Sequence, residues 1–326
     1  MPSILYILFQ LLVMILSICL PLIKGHGNMV KPAVWSDSGR KMWWNDEHGS
    51  NNYLGCGVLN TPKDNEYTEV TGSDPDCLQM WYSNHVEIPG ESTIPDDLIQ
   101  PEVKCVGQAG ANDKKHKFPW HAPGTAPIFS PCGAMGGNPL GCDLDGEGKF
   151  GDCCSRNCDG FALGGLAEDY LWPNAPTTQW KAGTQQEVAW YVSANHAGGY
   201  NYRLCKTPKG GISKLTEECF QDGHLEFVGD KQWVEYAKDR KTGHRTELTA
   251  KRTTEGTFPA GSMWTANPLL PSKEENGDSD YGHGHIIDKI KIPSSLEPGD
   301  YVLSLRWDCK CSPQVWTFCS NIHISH

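Results

Sequence analysis

The apolar residues at the start of the chain form one nearly continuous run over residues 3–23, and Lys24 and Gly25 follow it. An apolar run that lies near a chain's start and ends at a small residue is typical of a secretory signal peptide. The sequence therefore predicts a leader over residues 1–25 and a mature chain that begins at His26.

Apolar and polar positions first alternate clearly in segment 184–206. One parity of this segment holds Val188, Trp190, Val192, Ala194 and His196. The pair Gly198-Gly199 follows, and a second alternating run then holds Tyr200, Tyr202 and Leu204. Two alternating runs on either side of a glycine pair are typical of a β-hairpin. We therefore predict a hairpin that turns at Gly198-Gly199.

The remaining segments divide into strands and long loops. Further strands are predicted at 285–292, 301–307 and 314–324. A turn at Pro298-Gly299-Asp300 separates two of them. Segment 35–183 is rich in Gly, Pro, Asn, Asp and Cys, and segment 206–280 is polar, with one strand near Leu225 to Val228. Because helical periodicity is absent after the leader, we predict an all-β fold. It is one β-sandwich domain over 26–326 with long disulfide-tied loop insertions.

Charge narrows the possible partners. The whole chain has a formal net charge of −11, and removal of Lys24 with the leader makes it −12. Such a surface disfavours nucleic acid and anionic membranes, whereas an uncharged insoluble polysaccharide is not repelled. No second apolar run is long enough to cross a bilayer. We expect a secreted, extracellular monomer that has no nucleic-acid partner and, in its mature form, no membrane partner.

Cysteine usage agrees with secretion. The sequence has 14 cysteines, of which Cys19 lies in the predicted leader. In a secreted chain this density predicts disulfides, and an odd number leaves one thiol over. The cluster Cys153-Cys154 with Cys158 is an alternative zinc site, although oxidising compartments favour bridges.

His26 is the first candidate for metal chemistry. Once the leader is removed, this residue offers an α-amine and an imidazole. Both nitrogens can be neutral near pH 7, since their reference pKa values are about 7.7–8.0 and about 6.5. Two neutral nitrogens can chelate a borderline metal, and Cu(II) competes best among the divalent ions. The alternative is that an ordinary residue happens to follow the cleavage site.

Two later positions offer matching chemistry. His196 ends its predicted strand beside a glycine turn, a position from which a side chain can act as a metal ligand. The alternative is a histidine hydrogen-bonded at a hairpin corner. Gln314 and Trp316 share one strand face and together can close one axial side of a metal ion. The alternative is a buried Trp whose indole N–H meets the Gln carbonyl.

Four stretches together resemble the copper-dependent lytic polysaccharide monooxygenases. They are His26-Gly27 followed by Pro32, Ala122-Pro123-Gly124-Thr125-Ala126-Pro127 leading into Ser130-Pro131-Cys132-Gly133, Ala194-Asn195-His196 through Tyr202-Arg203-Leu204-Cys205, and Pro313-Gln314 to Cys319. They span the mature chain, and the resemblance is strongest to auxiliary activity family fifteen, with its chitin-binding type-4 domain.

The resemblance implies an immunoglobulin/fibronectin III-like sandwich that carries one copper ion in a histidine brace. His26 would bind copper through its amine and imidazole, and His196 through its imidazole. Gln314 would orient the oxygen species. The family's axial Tyr or Phe falls on Trp316, which is a departure from the family. The implied reaction oxidises a β-1,4 glycosidic bond of chitin or cellulose at C1 or C4. It uses an external electron donor and O2 or H2O2.

Other interpretations stay open. A non-catalytic carbohydrate- or copper-binding protein on the same fold is one, because fold alone does not determine function. A zinc hydrolase built on His283 and His285 is another, although no His-Glu-x-x-His motif supplies its general base. His121 is a third histidine, either part of the binding surface or an exposed loop residue. Aromatic residues of the early loops either stack on sugars or pack the loops. These are Trp35, Trp43, Trp44 and Tyr53.

Overall fold

The computed structural model describes residues 26–35, 80–82, 88–89, 91–103, 118–126, 128, 131–132, 176–236, 242–270, 284–311 and 314–326. The predicted leader lies outside these residues. The described strands are β1 (His26–Lys31), β2 (Met80–Tyr82), β3 (Thr178–Lys181), β4 (Gln185–Ala194), β5 (Gly199–Lys206), β6 (Lys231–Glu235), β7 (Thr246–Thr249), β8 (Arg252–Thr253), β9 (Trp264–Ala266), β10 (Gly284–Lys291), β11 (Gly299–Asp308) and β12 (Gln314–Ser325).

These strands form two sheets that confirm the predicted all-β sandwich. The first sheet has the order β1-β4-β10-β6-β7. The second has the order β2-β12-β11-β5-β9-β8, with β3 added in parallel to β12. The residues between the sheets come from alternate positions of strands in both, as a two-layer sandwich requires. They include Val188, Trp190, Val192, Tyr200, Tyr202, Leu204, Ile286, Ile290, Leu303, Leu305, Trp307, Trp316, Phe318 and Ile322.

The predicted hairpin at Gly198-Gly199 is wrong. β4 belongs to the first sheet and β5 to the second, so the chain between them crosses from one layer to the other. Ala197 and Gly198 both have positive φ, 55° and 86°, and they turn the chain across the sandwich. Alternation shows which face of each strand is buried, but it does not show which sheet the strand joins.

Some of the other predicted elements form, and others do not. The three C-terminal strands form as β10, β11 and β12 close to their predicted bounds. The strand expected near Leu225 to Val228 does not form, and only isolated bridges, such as that of Phe227 with Ile290, mark this region. Strands β6 to β9 lie in the segment predicted as loop. They have 5, 4, 2 and 3 residues, which is too short for a clear alternation of apolar and polar positions.

The described α-helix, α1 (Glu217–Asp222), is short and has local causes. The Thr216 hydroxyl accepts a hydrogen bond from the Cys219 N–H at 3.3 Å and caps the first turn. The carboxylates of Glu217 and Glu218 complement the N-terminal end of the helix. No described helix is long and apolar enough to cross a membrane.

Disulfides fasten the loops to the second sheet. Cys132 is bonded to Cys319 of β12, and Cys205 of β5 is bonded to Cys219 of α1. Cys309 holds a buried thiol. The cluster proposed as an alternative zinc site, Cys153, Cys154 and Cys158, lies outside the described residues.

Candidate metal centre

The register of β1 against β4 determines where His26, the first residue of the predicted mature chain, lies in the fold. His26 pairs with Ala194, and Met29 pairs with Trp190. Between them Gly27 lets the strands approach, since an added Cβ would come within 3.1 Å of the Trp190 ring and of the Tyr191 carbonyl oxygen. The backbone of His26 therefore lies beside the last residue of β4.

His196 follows two residues after that strand end and is 3% exposed. Its carbonyl oxygen accepts hydrogen bonds from the backbone N–H groups of Lys310 and Cys311, at 3.3 and 3.0 Å. The loop after β11 is thus bonded to the crossing between the sheets. The backbone places the two histidines at the same end of the sandwich.

Trp307 of β11 packs against the imidazole of His196. The two ring centroids lie 6.4 Å apart with an interplanar angle of 28°. The Trp307 indole N–H donates a 2.8 Å hydrogen bond to the Ala197 carbonyl oxygen. The ring of Trp316 also stacks on that of Trp307, with centroids 6.0 Å apart and an interplanar angle of 24°. Sequence reasoning missed Trp307, because its place in the alternation of β11 is that of an ordinary core residue.

Gln314 and Trp316 occupy the start of β12 on one face, as predicted. The Gln314 backbone oxygen accepts a hydrogen bond from the Cys309 N–H at 3.1 Å, which places this strand start against the loop that binds His196. The Trp316 indole donates to Gln314 Oε1 at 3.3 Å, and Trp316 is 1% exposed. This contact is the one expected from the alternative interpretation of a buried Trp satisfied by a Gln carbonyl.

The stretch 122–126 is bonded to the same end of β11. The Gly124 N–H donates to Asp308 Oδ2 at 2.8 Å. The Arg306 guanidinium bonds Asp308 Oδ1 at 2.7 Å and the Ala126 carbonyl at 2.7 Å. Gly124 has φ 86°, and a Cβ there would meet the Phe258 carbonyl oxygen at 2.1 Å, so glycine is required. Glu217 pairs with Arg306 at 3.1 Å and so adds a further charge to this buried layer.

Among the remaining candidates, the structure describes His285, His121 and Trp35. His285 is fully buried in β10, with its ring 5.2 Å from that of Tyr191. His121 ends a short 3-10 helix, Pro119–His121. Trp35 is 1% exposed and donates to Asn321 Oδ1 at 2.8 Å, so it packs the fold. Outside the described residues lie His283, Trp43, Trp44 and Tyr53.

The donors that His26 and His196 would offer are nitrogen atoms, which suit a copper ion. In the part of the chain that the structure describes, no group of three or more His, Cys, Asp or Glu side chains could hold a metal. A brace needs only two imidazoles and one backbone amine, and imidazole nitrogen is a good ligand for copper. The pairing of His26 with Ala194 is consistent with that set.

Comparison with known proteins gives a distant relationship. No protein-family model matches the chain. The chain is 25% identical over 170 residues to the AA13 family lytic polysaccharide monooxygenase A of Pyricularia oryzae, a match of 47% of this chain and 44% of that protein. The match thus spans less than half the length of the relative. The resemblance to lytic polysaccharide monooxygenases is confirmed by this relative.

Solved structures match at low sequence identity and low TM-score. The lytic polysaccharide monooxygenase AA15 from Thermobia domestica in the Cu(I) state shares 17% identity at a TM-score of 0.27, covering 45% of this chain and 62% of that one. A chitin binding domain from Burkholderia pseudomallei shares 10% identity at a TM-score of 0.34, covering 93% of this chain and all of that one. Backbone overlap at these TM-scores carries no information about chemistry.

Proposed function

We propose that the protein is a secreted copper-dependent monooxygenase that cleaves β-1,4-linked polysaccharide, chitin or cellulose, by oxidation at C1 or C4. One observation carries the proposal: His26 pairs in register with Ala194, two residues before His196. The relationship to a lytic polysaccharide monooxygenase supports it. The net charge of −11 is compatible with an uncharged glycan.

The chain's own residues would hold and orient the ion. His26 would bind copper through its amine and imidazole, and His196 through its imidazole. Copper supplies one-electron chemistry with O2 or H2O2 once an external donor has reduced it. Trp307 and the two backbone bonds to the His196 carbonyl limit how far that imidazole can move. A ligand held in one orientation needs no rearrangement when the metal binds.

Gln314 would act as a hydrogen-bond donor beside the ion. An indole N–H can only donate, so its bond to Gln314 Oε1 uses the acceptor end of the amide. The NH2 group is then the part of Gln314 that can serve a second partner, such as the oxygen cosubstrate. Trp316 would lie beside the ion without ligating it, because an indole N–H can only donate.

The first experiment compares a mature chain that begins at His26 with a form that carries one added Gly before it. Calorimetric titration should show one tight Cu(II) site in the mature form and much weaker binding in the extended form, because the amine is displaced. His196→Ala should weaken binding as well. His323→Ala is the matched control, since His323 is 40% exposed and lies near the far end of β12. Unchanged affinity in the extended form would show that His26 is not a ligand.

The second experiment tests catalysis. Mass spectrometry of soluble products from chitin and cellulose, with ascorbate and O2, should detect oxidised oligosaccharides for the mature protein and not for His196→Ala. The Trp316–Gln314 bond favours one alternative, a non-catalytic carbohydrate- or copper-binding protein, because it gives Trp316 a structural role. Copper and glycan binding without any oxidised product would establish that alternative.

A further inference from the structure

Two non-glycine residues in the described part of the chain have positive φ, Gln100 at 56° and Ala197 at 55°. Side chains with a Cβ rarely adopt this conformation, and it occurs preferentially where a site needs a defined backbone. The two residues are joined through a neighbour: the Gly198 N–H donates to Gln100 Oε1 at 2.8 Å. The unusual conformations therefore meet at the crossing that carries His196.

Gln100 connects three segments of the chain. It is 2% exposed, so both ends of its amide lie away from solvent. Its Oε1 accepts from Gly198, and its Nε2 donates to the Asn267 carbonyl oxygen at 3.0 Å. A buried amide with both ends satisfied holds its partners at fixed separations, because losing either bond leaves a buried polar group unpaired.

Asn267 binds the same crossing from the other side. Its backbone N–H donates to the Gly198 carbonyl oxygen at 2.8 Å. Its Nδ2 donates to Asn195 Oδ1 at 3.2 Å and to the Ala197 carbonyl oxygen at 3.3 Å. Asn195 Oδ1 also accepts from the Ala197 N–H at 2.9 Å. The backbone N–H and carbonyl groups of Ala197 and Gly198 thus all have partners.

Lys310 is hydrogen-bonded to both the crossing and the loop of Gln100. Its backbone N–H binds the His196 carbonyl oxygen, and its ammonium group donates to the carbonyl oxygens of Gln100 and Val103. Burial lowers the pKa of this lysine. The loop of Gln100 and the loop of Lys310 are therefore hydrogen-bonded to each other. Each of them is also hydrogen-bonded to the crossing.

We propose that Gln100 and Asn267 are positioning residues for the metal ligand His196. They act through the Ala197–Gly198 backbone and hold the crossing in one conformation, which sets the direction of the imidazole. A glycine at position 197 would reach φ 55° without strain but would allow other conformations. Alanine held by side-chain hydrogen bonds restricts the crossing instead, and such support around a ligand keeps a site preorganised. This proposal rests on the proposed function, because copper is the ion that His196 would bind.

The main test variant is Gln100→Met, which keeps the length of the side chain and removes both hydrogen bonds. Asn267→Asp keeps the shape of the side chain and removes its two donated bonds, so it replaces Gln100→Met if that variant does not fold. Gln179→Met is the matched control, since Gln179 is exposed on β3, which pairs with the far end of β12. All forms are prepared as the mature chain from His26.

The first measurement uses the metal-free protein. Amide hydrogen exchange by NMR should be about tenfold faster or more at Gly198 in Gln100→Met, because its N–H loses a buried acceptor. The ring resonances of His196 should shift in the same variant and not in Gln179→Met. Wild-type exchange at Gly198 together with unshifted His196 resonances would overturn the proposal.

The second measurement adds Cu(II). The dissociation constant should rise by about tenfold or more in Gln100→Met, the range found when residues behind a ligand are changed, and the electron paramagnetic resonance spectrum should change. Unchanged affinity and spectrum, in a variant whose Gly198 exchange has risen, would show a structural role only and overturn the positioning role. A wild-type chain that binds no copper would refute the proposed function, while the His196 resonances of the metal-free forms would still decide whether Gln100 sets its orientation.

Discussion

The imidazole of His196 lies against the indole of Trp307, with ring centroids 6.4 Å apart. The same indole donates its N–H to the carbonyl oxygen of Ala197, the residue after His196. The Trp307 indole therefore contacts both the side chain of the candidate ligand His196 and the backbone of the next residue. Since Trp307 is fully buried, the sandwich core itself supports the crossing between the two sheets.

Trp307→Phe should weaken both the fold and the metal site. The change removes the bond to Ala197 and leaves a small cavity, so we expect a loss of about 1–3 kcal/mol of unfolding free energy. Urea denaturation of the metal-free protein measures this loss. Titration should also show a higher Cu(II) dissociation constant. Trp180→Phe, in the core at β3, is the control: it should lower stability and leave copper affinity unchanged. Equal copper affinities for the two variants would contradict the role of Trp307.

Trp316→Tyr should change the Cu(II) electron paramagnetic resonance spectrum. An indole N–H is only a donor, whereas a phenol oxygen can approach the ion, so the axial field changes if Trp316 fills the proposed axial position. Trp316→Phe separates the effects, because it removes the indole without adding an oxygen. If the Tyr variant gives the wild-type spectrum, Trp316 does not occupy the axial position and is a core residue bonded to Gln314.

The parts of the fold that could be predicted from sequence are those where alternation is long and uninterrupted. β4 and β11 are each ten residues long and have apolar side chains on one parity, so their existence follows from pattern. The predicted strand 301–307 lies within β11. The crossing at Ala197 could not be predicted in the same way. Its left-handed conformation is held by Gln100 and Asn267, residues far apart in sequence that meet only in the folded chain.

The residues of the candidate site also include some that could be predicted from sequence and some that could not. The candidates predicted from sequence each have a recognisable local context. His26 follows a predicted leader, His196 follows a strand end, and Gln314 and Trp316 share a strand face. Trp307 has no such context, because a tryptophan in an alternating strand is a normal core residue. Residues that position a ligand through backbone bonds carry no local pattern, so only the structure reveals them.

Asp288 should make stability fall as pH rises from about 4 to 6. It is fully buried, accepts from the Tyr200 hydroxyl at 2.6 Å and pairs with Arg252 at 3.2 Å. Burial raises its pKa from 3.8 to about 6. The folded state then binds a proton that the unfolded state has released, so this carboxyl costs about 1.4 kcal/mol per pH unit across that window. Urea denaturation from pH 4 to 7 should show that the stability of wild type relative to Asp288→Asn declines over this range. Parallel curves for the two proteins would contradict the shift.

His224 should have the opposite dependence. Burial lowers its pKa from 6.5 to about 3, and the charges of Arg203 and Arg306 act in the same direction. Its Nδ1 lies 3.1 Å from Asn201 Nδ2, a donor, so the folded state holds the neutral ring. The unfolded state therefore takes up a proton first as pH falls below 6.5. The stability contributed at neutral pH is lost at about 1.4 kcal/mol per pH unit toward pH 3. His224→Gln removes this titration, so urea denaturation should show wild type losing stability relative to the variant as pH falls from 6.5 to 4. The double variant with Asp288→Asn separates the two opposing slopes. A wild-type curve that runs parallel to that of His224→Gln would mean that folding does not lower the pKa of His224.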